Sequence, residues 1–163
     1  MSSVLLTVFI PLAGALLLVF ARHVVAGWMN LLISTATFVA AVVLAIEVAQ
    51  SGVVSRYVFH IDAFNVYLLV LTAFVGMTTT IFSRPYMQYV CDSGMTTERG
   101  IRLYHSMYQI FIFTMLLALS TDNLGILWVA VEGATLATVL PVSYTHLRAH
   151  ETVLDLVCRL LLE

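Results

Sequence analysis

The sequence predicts an all-α, polytopic bundle of five transmembrane helices. Three observations carry that prediction. Hydrophobic residues make up 61% of the 163 and charged residues only 10%, against about 25% charged in an ordinary soluble domain. Mean hydropathy over the whole chain is +1.02. The apolar residues also fall into separate runs, each near the roughly 17–25 residues that a helix needs to cross the hydrocarbon core.

The runs are Val4–Ala21, Gly27–Ala49, Ala63–Ser83, Tyr104–Ser120 and Asn123–Pro141. Lipid satisfies no backbone N–H or C=O, so each run is most simply a helix. The first has no basic stretch before it and no small-residue cleavage site, which predicts a retained helix rather than a signal peptide. Between the second and third, Val54 to Ile61 alternates roughly and predicts a short surface strand or hairpin near 53–62. Asp62 is placed to cap the third helix. Residues 84 to 103 open with Arg84-Pro85 and carry Gly94 and Gly100, so they predict the longest loop. Thr121-Asp122 leaves so little chain that helices four and five must form an antiparallel hairpin.

Arginine placement predicts orientation. Arg22, Arg84, Arg99 and Arg102 fall in the first and third connections, and only Arg56 in the second. The excess puts the first and third connections in the cytoplasm and the N-terminus outside. Trp28, Tyr86 and Tyr89 read as anchors at headgroup level.

Composition excludes several classes. No basic arm interleaved with aromatics points to nucleic acid. Cys91 and Cys158 have no spacing that argues a disulfide or a metal site. No glycine-rich nucleotide loop, nucleophile elbow or metal-ligand cluster is present. The chain is therefore expected to be a non-catalytic subunit with no cofactor, and any redox chemistry it serves lies in another subunit.

Glu132 is the residue that points to chemistry. It sits at the middle of an apolar run, where a charged side chain costs about 2.5–3.5 kcal/mol on insertion scales. Such a residue marks a proton or ion pathway by default. On a helix Glu132 shares a face with Trp128, Thr135 and Leu136, so Thr135 is placed to support the carboxyl. Gly133, Ala134 and Ala137 allow a neighbouring helix to approach closely. The bland alternative is a protonated structural acid. His105 is a second, weaker candidate, since an imidazole can relay protons near neutral pH, but its place near the expected start of helix four also suits an interfacial histidine. Asp122 is weaker still: helix capping at the hairpin explains it, with a proton exit as the alternative. Glu47, near a helix end, is explained by reaching toward the headgroups.

Three stretches carry a resemblance. Phe59–Gly76, Leu103–Leu119 and Asp122–Leu140, above all Trp128-Val-Ala-Val-Glu-Gly-Ala-Thr135, resemble the N-terminal part of antiporter-like membrane subunits. Most similar is component F of hydrogenase-4, in the formate hydrogenlyase group. The large proton-pumping subunits of respiratory complex I and of multi-subunit sodium/proton antiporters are relatives. The resemblance covers about residues 1–141 and implies a proton-translocating subunit in the bacterial inner membrane, alongside other membrane subunits and a soluble redox arm. It puts Glu132 at the position of an essential channel glutamate, paired in the family with a lysine on a later helix. This chain contains no lysine, so the resemblance implies an N-terminal fragment that is inactive alone. A structural anchor that docks a redox arm without moving ions is the competing reading.

After Pro141 the character changes. Residues 142–163 pack two Arg, three acids and two His into a short segment. They resemble a translated sequencing-adapter product found at the ends of unrelated conceptual translations. The expectation is that Pro141 lies at a junction and that nothing beyond it has a function.

Overall fold

The computed structural model describes residues 2–56, 58–93 and 97–139. Five helices dominate: α1 (Ser2–Phe20), α2 (His23–Ser51), α3 (Ala63–Asp92), α4 (Glu98–Ser120) and α5 (Leu124–Val139). The first four are long and apolar enough to cross a membrane. The fifth is apolar but shorter within the described residues, about 24 Å at 1.5 Å per residue. Expected residues 140 and 141 of that span, and the whole tail 142–163, lie outside the described residues.

Between α2 and α3 stand two short antiparallel strands, β1 (Val54–Arg56) and β2 (Phe59–Ile61), with Ser55 opposite His60. The expected surface hairpin is thus present. Gly52 ends α2 at φ +78°, returning its N–H to the Val48 carbonyl, a conformation that glycine adopts without steric cost. Asp62 caps α3 by accepting from Asn65 N–H at 2.7 Å.

Three boundaries differ from the sequence reading. The long loop expected over 84–103 is mostly helix. α3 continues through Pro85 to Asp92, and α4 begins at Glu98 rather than Tyr104. Proline removes one backbone donor, but membrane helices tolerate it where neighbours re-satisfy the backbone. Thr97 then caps α4 by accepting from Gly100 N–H, and Glu98 lies in the first turn, where a carboxylate suits the helix dipole. Likewise α2 starts at His23, so Ala21 and Arg22 alone link it to α1.

Successive helices run antiparallel, and α4 is central: it packs on α1, α2 and α3. Near the hairpin end, Val4, Leu44, Val48, Ile61, Val66, Leu69, Ile112 and Leu116 close into one buried cluster. The hairpin also holds the α4–α5 corner. Phe59 bridges Thr121, while the Asp122 N–H and the Thr121 hydroxyl both donate to the Val58 carbonyl at 2.9 and 3.1 Å.

Candidate functional site: an open acidic face and a closed polar cluster

α5 begins where Asn123 Oδ1 accepts from the N–H groups of Gly125 and Ile126. Asn123 is therefore the cap; Asp122 contributes its backbone N–H to the hairpin and leaves its side chain exposed at the corner. From this fixed start the helix presents two unlike faces. Ala130, Ala134 and Ala137 are buried. Gly133 lies so close to α4 that an added Cβ would sit 3.0 Å from Thr114 Cγ2. Small residues on that face admit the backbone of α4, as they do in membrane packing generally.

Glu132 is on the other face. It is exposed, as are Trp128, Thr135 and Leu136. Thr135 does not reach the carboxyl: its hydroxyl donates to the backbone carbonyl of Glu132 at 2.8 Å. A threonine that bonds back along its own helix leaves the neighbouring side chain unsupported. Among the described residues no element covers this face, and none donates a side-chain hydrogen bond to the carboxylate.

His105 has the opposite environment. Because α4 starts six residues before the expected boundary, His105 lies about two turns inside it and is 1% exposed. The ring is enclosed by the bundle rather than turned outward. Its Nδ1 lies 3.0 Å from Asn30 Nδ2. Asn30 Oδ1 in turn accepts from Gln109 Nε2 at 2.6 Å, and Gln109 Nε2 also donates to Ser34 Oγ at 2.8 Å. Ser34 is 3.0 Å from the Thr80 hydroxyl, which donates to the Gly76 carbonyl at 2.9 Å. The Tyr108 hydroxyl reaches that same carbonyl at 2.7 Å. Three helices thus share one buried polar chain. A single atom in it, Gln109 Oε1, is buried without a partner.

Asn30, Ser34 and Thr80 escape a reading aimed at charged residues. A signal was present: Asn30, Ser34 and Thr37 repeat at i, i+4 and i+7 inside an apolar run, a polar stripe on one helix face. Elsewhere, Glu47 accepts a hydrogen bond from the Ser3 hydroxyl, tying the start of α1 to the end of α2. Trp28 carries the Arg84 guanidinium over its ring at 3.6 Å. These groups are not brought to Glu132. No group of three His, Cys, Asp or Glu side chains able to hold a metal occurs among the described residues.

No family model matches the chain. It is 37% identical over 136 residues to a hydrogenase-4 component F homolog of Methylacidiphilum infernorum (isolate V4), a match that covers 83% of this chain. The same match spans 28% of that relative's length. With four long apolar helices and this degree of identity, the chain is a relative of hydrogenase-4 component F and has the architecture of a membrane subunit.

Proposed function

We propose that this chain forms part of a proton-translocating membrane subunit of a hydrogenase-type complex, with Glu132 as its intramembrane proton-carrying carboxylate. The observation that carries the proposal is the two-faced build of α5. Small residues seat one side against α4, and the single acid of the helix stands on the other. A carboxylate left against acyl chains is costly, so a buried or water-lined niche must receive it. Much of the relative's length lies beyond the match, and further helices from such a region would supply that niche. The family resemblance adds a lysine there. Protonation of Glu132 would then follow the approach or withdrawal of that charge. Thr135, beside it on the same face, is the supporting hydroxyl once the niche forms.

On this reading the 163 residues alone hold one half of a charge pair and pump nothing. Residues 142–163 have no part in it. Asp122, exposed at the α4–α5 corner, is the weaker candidate for the outer end of the path. The subunit lies in a bacterial inner membrane with its N-terminus outside, beside other membrane subunits and a soluble redox arm. With Cys91 and Cys158 replaced by Ser, a Ser93→Cys variant tests that orientation: a membrane-impermeant thiol reagent labels it only from the cytoplasmic side, and labelling from the outer side reverses the topology.

Glu132→Gln in the full-length subunit within its complex tests the function. Gln keeps the shape and polarity and removes the titration. Assembly stays intact and coupled proton movement falls at least tenfold. Unimpaired proton movement in the assembled variant overturns the proposal and favours the structural anchor.

A further inference from the structure

We propose that His105, Asn30, Gln109 and Ser34 form a second proton-binding site, between α2 and α4, whose hydrogen-bond chain can run in either direction. The observed direction is fixed by its last member. Thr80 donates to the Gly76 carbonyl, so it accepts from Ser34. Ser34 therefore accepts from Gln109 Nε2, Asn30 Oδ1 accepts from the same amide, and Asn30 Nδ2 is left to donate to His105 Nδ1. An acceptor at Nδ1 makes His105 the neutral imidazole with its hydrogen on Nε2.

The imidazolium carries a hydrogen on both nitrogens, and its Nδ1–H needs an acceptor. Turning over the Asn30 amide supplies Oδ1. The freed Nδ2 then donates to Gln109 if that amide turns as well, bringing its Oε1 to face Asn30 and Ser34. Ser34 donates to Gln109 and accepts from Thr80. The Gly76 carbonyl loses Thr80 but keeps the Tyr108 hydroxyl at 2.7 Å, so no backbone acceptor is stranded. One position, the outer atom of the Gln109 amide, is without a protein partner in the observed direction, and reversal leaves that same position without one. Reversal thus exchanges an orphaned oxygen for an orphaned amide NH2 and adds no new orphan position. In the binding step hydronium gives its proton to Nδ1, one N–H bond forms, and water leaves.

The groups around the ring are few. α1 contains no titratable side chain. α2 brings Asn30 and the bare backbone of Gly27, where an added Cβ would lie 3.8 Å from His105 Nε2. α3 brings Arg84, whose Cγ would lie 3.2 Å from that Cβ while its guanidinium is drawn onto Trp28. α4 itself brings Tyr104, its ring centroid 5.3 Å from that of His105, with Tyr108 and Arg102 about one turn to either side. The Arg84 charge opposes the imidazolium, and its stacking on Trp28 holds it in place there.

The proposal deepens the reading of a proton-moving subunit, but its test reads His105 directly. The full-length subunit in liposomes, labelled with ¹⁵N on its histidine rings, is followed by nuclear magnetic resonance from pH 8 down to pH 3.5, with His105→Asn identifying the signal. One bare and one protonated nitrogen at pH 8 become two protonated nitrogens at the acid end of that range. Asn30→Leu, which offers the imidazolium Nδ1–H no acceptor, lowers the protonated fraction at a given pH at least tenfold. Asn30→Asp, which offers only acceptors, raises it. A ring that stays neutral across the range, or two variants that leave the titration where it was, overturns the proposal. In Glu132→Gln the His105 titration persists, so failure here and failure at Glu132 are told apart.

Discussion

Two polar regions of this bundle lie on different sides of α4 and obey opposite rules. Between α2, α3 and α4, Asn30, Gln109, Ser34, Thr80 and His105 bond to one another, and Gln109 Oε1 is the one fully buried atom among them without a partner. On α5, Glu132 stands on a face that no described residue covers. The first is a finished interior and the second an unfinished one. In hydrocarbon, where water cannot serve as partner, a polar group has only these two fates. It is closed within the segment that carries it, or it waits for another segment. Changes in the closed cluster should therefore register as stability, and changes on the open face as function.

The largest stability effect belongs to Asn30→Leu. It strips His105 Nδ1 of its partner and Gln109 Nε2 of one of two, and each such buried loss costs about 1–3 kcal/mol, so about 2–6 kcal/mol is expected by denaturant unfolding in detergent. A loss no greater than at surface positions would show that the cluster is not closed. Gly133→Leu comes next. Its side chain enters the space of Thr114, and such overpacking costs about 1–3 kcal/mol, read as weakened α4–α5 association and a lower melting temperature. Thr135→Val is the smallest. Its hydroxyl serves only its own helix backbone in the described structure, so stability moves by less than about 0.5 kcal/mol. Proton movement by the complete complex should nonetheless slow. Equal losses at Asn30 and Thr135 would erase the contrast between the regions.

Much of this architecture was legible in the residues. Hydropathy located four spans because apolar length is a demand of the bilayer itself, and the alternation around Ser55 and His60 marked the hairpin. Pro85 misled: it reads as a helix breaker in water, yet α3 runs through it. The start of α4 was written in Thr97-Glu98, a cap followed by an acid, but Gly94 and Gly100 on either side drew attention to a loop. Glu132 was visible as one acid in an apolar run, though not that Thr135 bonds back to its carbonyl. The cluster at His105 was the least legible. Its members come from three helices far apart in sequence, and only the stripe Asn30, Ser34, Thr37 announced a polar seam.

The central claim is that Glu132 changes protonation while the complete complex works. Infrared difference spectroscopy of the full-length complex during turnover tests it most directly. The account predicts a carboxyl-stretch band that appears and disappears with turnover and is missing from Glu132→Gln. A band that stays constant through turnover, or a cycling band that survives the substitution, contradicts it.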